Sequence, residues 1–201
     1  MLHSENTSII DKAFQELITD IISSSPNYEE VFNTKNLPYH HNYAKSKAPN
    51  VIPEMRYFFK GLDNIKHNSL YYFELKDIKT AHKLKEKLDN YRKSIDKSSN
   101  EYRVVPTMNQ YDNAQSKVFY LGVRQGAPNK SGLTHIVGRI NQHLGYYKNG
   151  STQGLQLYHY TKGLDFEITL KVYEFQNLNS DYLNVIEKKM AKILNPLCGR
   201  H

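Results

Sequence analysis

The chain has 201 residues, 39% of them hydrophobic, which is enough to bury the core of one domain with additions or of two small ones. Lysine and arginine number 27 against 20 acidic residues, and the net charge of +7 favours a polyanionic partner such as nucleic acid. The single cysteine, Cys198, excludes an internal disulfide and any zinc site built from several cysteines. Because the sequence also shows neither a signal peptide nor a membrane span, we expect a cytoplasmic protein with no membrane association.

The N-terminal third, residues 1–66, predicts a mostly helical extension. Residues 8–24 carry apolar side chains at the three- and four-residue spacing of one helix face, and a Ser-Pro break ends this pattern. Shorter helices are expected at residues 28–32 and 54–62.

Between these two short helices, residues 37–53 hold three prolines and a basic, aromatic run, which predicts an exposed loop. His40 and Lys45 lie in that run and are candidates for contacting nucleic acid. The adjacent pair His40 and His41 has no further ligands at a defined spacing, so a solvated or phosphate-contacting loop is favoured over a metal site.

A strand and a basic helix follow. Alternation from Ser69 to Leu75 predicts a strand that places Tyr71 and Phe73 on one face. Residues 80–95 carry an apolar line along one helix face and basic side chains beside it. The basic face is either solvated or in contact with nucleic acid, and the candidates for such contacts are Lys79, Lys83, Lys87 and Lys93.

The remaining elements complete an α+β pattern. We expect a second strand at residues 118–123, a helix at 132–144 with Ser131 as its N-cap, and a third strand at 166–175. A last helix is expected at 181–194. Two strands followed by helix, strand and helix predict a small three-stranded sheet flanked by helices.

Glu187 occupies a position in the last predicted helix where the apolar pattern calls for a hydrophobic residue, as at Leu183, Ile186 and Met190. Burying an unpaired carboxylate costs several kcal/mol, so such a residue needs a cation, a hydrogen-bond network or a metal ion. The alternative is a glutamate at the edge of the stripe that reaches water along its own stem.

Arg139 and His143, with His135, recur every four residues beside the core face of the helix at 132–144. Such a polar column is suited to line a cleft. Arginine offers a planar fork for phosphate, and histidine donates or accepts a proton near neutral pH, which suits phosphodiester chemistry. Simple surface positions are the alternative for both residues.

Four short motifs follow one another along the chain: Ser69-Leu70-Tyr71, Tyr120-Leu121-Gly122, Arg139 with His143, and Glu187 ahead of a proline. This order resembles the GIY-YIG nuclease superfamily, in which two tyrosine strands precede a helix with arginine and a last helix with glutamate. The resemblance covers about residues 68–199. It implies a GIY-YIG-like nuclease domain at residues 67–201.

The chain departs from the family pattern in three places. Ser69 replaces the glycine of the first motif, and Gly199 stands where the family has an asparagine after the final proline. The two tyrosines, which the family joins by a short connection, are separated here by a helical insertion at about residues 77–116.

The resemblance implies metal-dependent hydrolysis of a nucleic-acid phosphodiester. Glu187 would be the sole protein ligand of one Mg²⁺ or Mn²⁺. Tyr71, or alternatively His143, would help to deprotonate the attacking water. Arg139 would stabilise charge on the phosphorane oxygens, and Tyr120 would position phosphate or water.

Two functional hypotheses follow from these residues. The first is an endonuclease acting on nucleic acid, with DNA favoured over RNA, of a restriction, homing or defence type. The second is a non-catalytic nucleic-acid-binding module on a degenerate nuclease scaffold, and the missing asparagine favours it. Under either hypothesis, Arg124 is expected near the cleft as a nucleic-acid contact, because it follows the second motif directly.

Overall fold

The computed structural model describes residues 4–39, 53–99, 102–109, 113–126, 136–146 and 153–199. His40, Lys45, Ser131 and His135 therefore lie outside the described residues. The helices are α1 (Ser4–Ser23), α2 (Arg56–Leu62), α3 (Ile78–Ser94), α4 (Ile136–Leu144), α5 (Leu157–Thr161) and α6 (Leu183–Leu194). The strands are β1 (Tyr28–Asn33), β2 (Asn68–Leu75), β3 (Val118–Arg124) and β4 (Glu167–Phe175).

The described strands form one antiparallel sheet in the order β1-β4-β2-β3. This confirms the α+β class but adds one strand to the predicted three. The helix expected at residues 28–32 is wrong, because this segment pairs with β4 as the edge strand β1. Tyr28 and Phe32 both pack against Phe58 of α2. Their spacing of four residues fits one face of a helix as well as one face of a strand, so the apolar pattern did not distinguish the two.

The two strands that carry the tyrosine motifs, β2 and β3, pair with each other. In β2 and β3, Tyr71 lies opposite Gly122 and Phe73 lies opposite Tyr120. Helix α3 begins after Asp77, whose side chain accepts a hydrogen bond from the Thr80 backbone N–H at 2.7 Å. The predicted apolar line of α3 is confirmed, since Ala81, Leu84 and Leu88 are fully buried.

The sheet buries apolar side chains on both faces. The first face carries Tyr71 and Phe73 and packs against α3 and α4, and the second face carries Leu70 and Tyr72 and packs against α1 and α6. After α6 the chain covers the outer edge of β3, where the Leu197 and Cys198 N–H groups donate to Val118 and Phe119 carbonyls at 2.9 and 3.0 Å. Helix α6 is thereby held at the edge of the sheet.

Smaller differences concern the ends of the chain's helices. The last predicted helix starts as a 3₁₀ turn, Ser180–Tyr182, before α6. Helix α5 was not predicted, because five residues are too few for a helical period to show.

Within the described ranges, no helix has the length and apolar content that crossing a membrane requires.

Candidate functional site

The first face of the sheet brings together Tyr71, Tyr120, Arg139 and His143. Residues 71 and 73 of β2 and residues 120 and 122 of β3 point to the same side, because alternate residues of paired strands share a face. Arg139 and His143 are four residues apart on α4 and so share one side of that helix. The four predicted side chains therefore meet above the β2–β3 pair.

Gly122 makes room for this cluster. A Cβ atom at this position would lie 2.6 Å from the Tyr71 hydroxyl oxygen and 3.0 Å from the Tyr120 ring. The first distance is shorter than real Cβ contacts, so the Tyr71 ring could not keep this position across β3 if its cross-strand neighbour carried a side chain.

The Arg139 guanidinium holds the cluster together. Its Nε donates to the Tyr71 hydroxyl at 3.0 Å, and its Nη2 donates to the Tyr120 hydroxyl at 3.2 Å. Its Nη1 donates to the Gln142 Oε1 at 2.7 Å and to the Gln153 carbonyl at 2.8 Å. Burial opposes the positive charge, but the tyrosine oxygens outweigh it and raise the pKa of Arg139.

His143 is fully buried, which corrects the expectation that it lines an open cleft beside Arg139. Its Nδ1 accepts the Leu155 backbone N–H at 3.0 Å, and its Nε2 lies 2.9 Å from the Tyr71 hydroxyl oxygen. Burial and the charge of Arg139 lower its pKa well below the ordinary value, so the ring is neutral. A neutral ring whose Nδ1 accepts must carry its proton on Nε2, and His143 therefore donates to Tyr71.

The Tyr71 hydroxyl oxygen thus accepts two hydrogen bonds, from Arg139 and from His143. A neutral hydroxyl has two lone pairs, and both are used. Burial is the main cause of the raised pKa of Tyr71, and the charge of Glu187 adds to it. The charges of Arg139 and Arg124 lower this pKa and so oppose the rise. The phenol is protonated at neutral pH, and its oxygen already has two of the donors that a phenolate requires.

Glu187 is partly buried on α6, as its place in the apolar pattern predicted. Burial raises its pKa to about 7, and the nearby charges of Arg139 and Lys188 oppose that rise. Its own charge also raises the pKa values of Tyr71 and Tyr120, so the carboxylate acts on the tyrosine cluster.

Glu187 is a single partly buried carboxylate, the kind of oxygen ligand that a hard divalent cation accepts. Burial destabilises the charged form of a carboxylate, and a nearby cation stabilises it. Mg²⁺ needs few protein ligands, because it takes most of its oxygens from water and phosphate. Among the described residues, no group of three or more histidine, cysteine or acidic side chains is placed to hold a metal.

Residues 153–156 cross α4 and belong to the site, although the sequence analysis did not predict this. This segment supplies the Gln153 carbonyl to Arg139 and the Leu155 N–H to His143. A Cβ at Gly154 would lie 2.9 Å from the Gln142 side chain, so the close crossing depends on glycine. Backbone groups have no sequence signature, so Gly154 is the one residue of this segment whose type points to a close approach to another part of the chain.

The predicted nucleic-acid contacts are placed unevenly. Arg124 is electrostatically coupled to Tyr71 and Arg139, and burial is the main cause of its lowered pKa. Lys93 pairs with Asp89 at 2.5 Å, whereas Lys79 and Lys83 are exposed on α3. The described structure thus places Arg124 at the cluster and leaves contact between α3 and nucleic acid a prediction.

Comparison with protein-family models, with curated proteins and with solved structures finds no match to this chain.

Proposed function

We propose that this chain is a metal-dependent endonuclease of the GIY-YIG type that hydrolyses phosphodiester bonds in nucleic acid, with DNA the favoured substrate. One observation carries the proposal: Arg139 joins Tyr71 and Tyr120 in a single hydrogen-bonded cluster on which the charge of Glu187 acts. A purely structural core gains little from burying a guanidinium and a carboxylate whose charges act on the same two tyrosines.

Tyr71, rather than His143, is the residue assigned to accept the proton of the attacking water. His143 has no free acceptor, because its Nδ1 is occupied by Leu155 and its Nε2 carries the hydrogen. Because the phenol is protonated at neutral pH, this role requires that Tyr71 first release its own proton to solvent. The phenolate would then keep one lone pair free beside its two donors. Since Tyr71 is fully buried, this role requires that substrate binding admit one water to its hydroxyl.

Arg139 is assigned to charge stabilisation. Its contacts with Tyr71, Tyr120, Gln142 and Gln153 use four of its five N–H groups within the described part of the chain. The fifth, on Nη2, would bind a phosphate oxygen as charge develops there. The Tyr120 hydroxyl accepts the other hydrogen of Nη2 and would orient the same phosphate.

Glu187 is the residue that would hold Mg²⁺ or Mn²⁺, which when bound supplies positive charge to the phosphate and to its leaving oxygen. The raised pKa of Glu187 means that metal binding must displace a proton below about pH 7. Metal affinity should therefore rise with pH up to that value and level off above it. The cytoplasm, which suits the single buried thiol of Cys198, remains the predicted location.

The test is incubation of the protein with labelled duplex and single-stranded DNA, with and without Mg²⁺, alongside a binding assay in chelator. Metal-dependent cleavage supports the proposal. Binding with no nick in any substrate, under Mg²⁺ or Mn²⁺, favours the non-catalytic binding module instead.

A further inference from the structure

A pocket of about 340 Å³ lies beside α6, and its lining includes none of the residues of the tyrosine cluster. Asn109 and Asn113 supply one wall, and the end of α6 with the two residues after it supplies the other. Three carboxamides, from Asn109, Asn113 and Asn195, line it together with the apolar surfaces of Ala191 and Pro196. Amide groups around a small apolar floor match the hydrogen-bonding edge and the flat face of a nucleobase.

Fixed contacts join the two walls of the pocket. The Asn109 side-chain N–H donates to the Pro196 carbonyl at 2.7 Å, and the Asn109 backbone N–H donates to the Leu197 carbonyl at 3.1 Å. These bonds orient the Asn109 amide and tie the two walls together on one side of the pocket. The site is therefore preformed rather than a gap between loose side chains.

The rim of the pocket is positively charged. Lys188 and Lys192 line it four residues apart on the exposed side of α6, and neither is in an ion pair with a described residue. Lys189, on the same helix, forms an ion pair with Asp11 at 3.0 Å. Lys188 and Lys192 differ from it in having no such pair with a described carboxylate. An anionic group of the ligand is the natural counter-ion for the rim.

The pocket is close to the carboxylate assigned to the metal. The charge of Lys188 lowers the pKa of Glu187, and Ala191 lies one helical turn, about 6 Å, beyond Glu187. One or two nucleotides of a strand span roughly that distance.

We propose that this pocket binds one nucleotide of the substrate strand next to the scissile phosphate. Its base lies on Ala191 and Pro196 within reach of the carboxamides, and its phosphate lies between Lys188 and Lys192. This inference rests on the proposed nuclease function for the identity of the strand, but the pocket can be tested without cleavage.

The experiment titrates the ¹⁵N-labelled full chain in metal-free buffer with each 5′-nucleoside monophosphate and, separately, with inorganic phosphate. The nucleotides should shift the Ala191 backbone amide and the side-chain amides of Asn109 and Asn113 saturably. The variant Lys188→Gln/Lys192→Gln/Asn195→Gly should bind them at least about tenfold more weakly. Asn195 has a φ of 46°, which glycine adopts freely, so the backbone is preserved.

The matched control is Lys12→Gln/Lys60→Gln, which removes the same charge from exposed positions on α1 and α2. It should bind nucleotides like the parent. Equal shifts with phosphate alone, or equal weakening in the control, would overturn the pocket as a nucleotide site. Nucleotide binding without any Mg²⁺-dependent cleavage would support the pocket and reject the nuclease, and cleavage with KM unchanged in the triple variant would do the reverse.

Discussion

The Arg139 side of the candidate site and the Glu187 side are built differently. On the α4 side, Arg139, His143 and Tyr71 are fixed by side-chain and backbone hydrogen bonds. On the α6 side, the carboxylate of Glu187 has a raised pKa, and Lys188 and Lys192 have no ion-pair partners among the described residues. The first side is preorganised, whereas under the proposed function a cation and an anionic strand would complete the second.

The largest effect is expected on the α6 side. Glu187→Gln should reduce cleavage to background, because an amide does not replace an anionic metal ligand, while nucleic-acid affinity stays close to that of the parent. Plasmid nicking and fluorescence anisotropy in chelator measure the two quantities. Glu86→Gln, an exposed carboxylate on α3, is the control and should cleave normally. Parent-like turnover in the Glu187 variant would reject the mechanism.

The next effects concern the preorganised side. Tyr71→Phe removes only a hydroxyl and should lower kcat by about 10² to 10⁴, the range for loss of a general base. Arg139→Ala should lower kcat by about 10² to 10³, the range for one transition-state donor. Single-turnover rates measure both. If Tyr71→Phe stays within a few-fold of the parent while His143→Ala is inactive, the histidine is the base.

Gly122→Ala tests whether the Tyr71 position depends on the missing side chain. The added methyl would overlap the Tyr71 ring, so the free energy of unfolding should fall by about 1 to 3 kcal/mol and cleavage should fall with it. Gly61→Ala is a matched control, because its Cβ would lie 2.8 Å from the Tyr28 ring, far from the cluster. Denaturant unfolding should show a loss in both variants, but only Gly122→Ala should lose kcat.

The pKa of Glu187 predicts a pH dependence of stability in metal-free buffer. The folded chain keeps this proton up to about pH 7, whereas the unfolded chain releases it near the ordinary glutamate pKa of 4.5. The contribution of Glu187 to the free energy of unfolding therefore falls as pH rises through that interval and is constant above it. Glu187→Gln should gain stability relative to the parent by up to about 3 kcal/mol between pH 4.5 and 7. A constant difference between the two unfolding curves would contradict the raised pKa.

The difference between the two sides also explains what the sequence was able to predict. Glu187 stands at a position of its helix where the pattern calls for an apolar residue, and Arg139 and His143 show the four-residue spacing of one helix face. These three residues could therefore be predicted as members of the site. The full burial of His143 could not be predicted, because it depends on the crossing of residues 153–156. Strand β1 was missed because two adjacent glutamates in a short segment do not reveal pairing with β4, which is distant in sequence.

The smallest expected effect concerns the lysines of α3. Replacing Lys79, Lys83, Lys87 and Lys93 by Gln should weaken binding and flatten its dependence on salt, while the single-turnover rate at saturating substrate stays unchanged.

Each phosphate contact that is lost lowers the salt slope by about 0.7 to 0.9. The structure sharpens this prediction, since Lys93 already pairs with Asp89 at 2.5 Å and Lys83 has no ion pair among the described residues. Lys93→Gln alone should therefore change the slope less than Lys83→Gln. Anisotropy titrations across a salt series measure both, with Lys12→Gln on α1 as the control. An unaltered slope in the quadruple variant would show that this helix face is only solvated, and would direct attention to Arg124 and to the loop that contains His40 and Lys45.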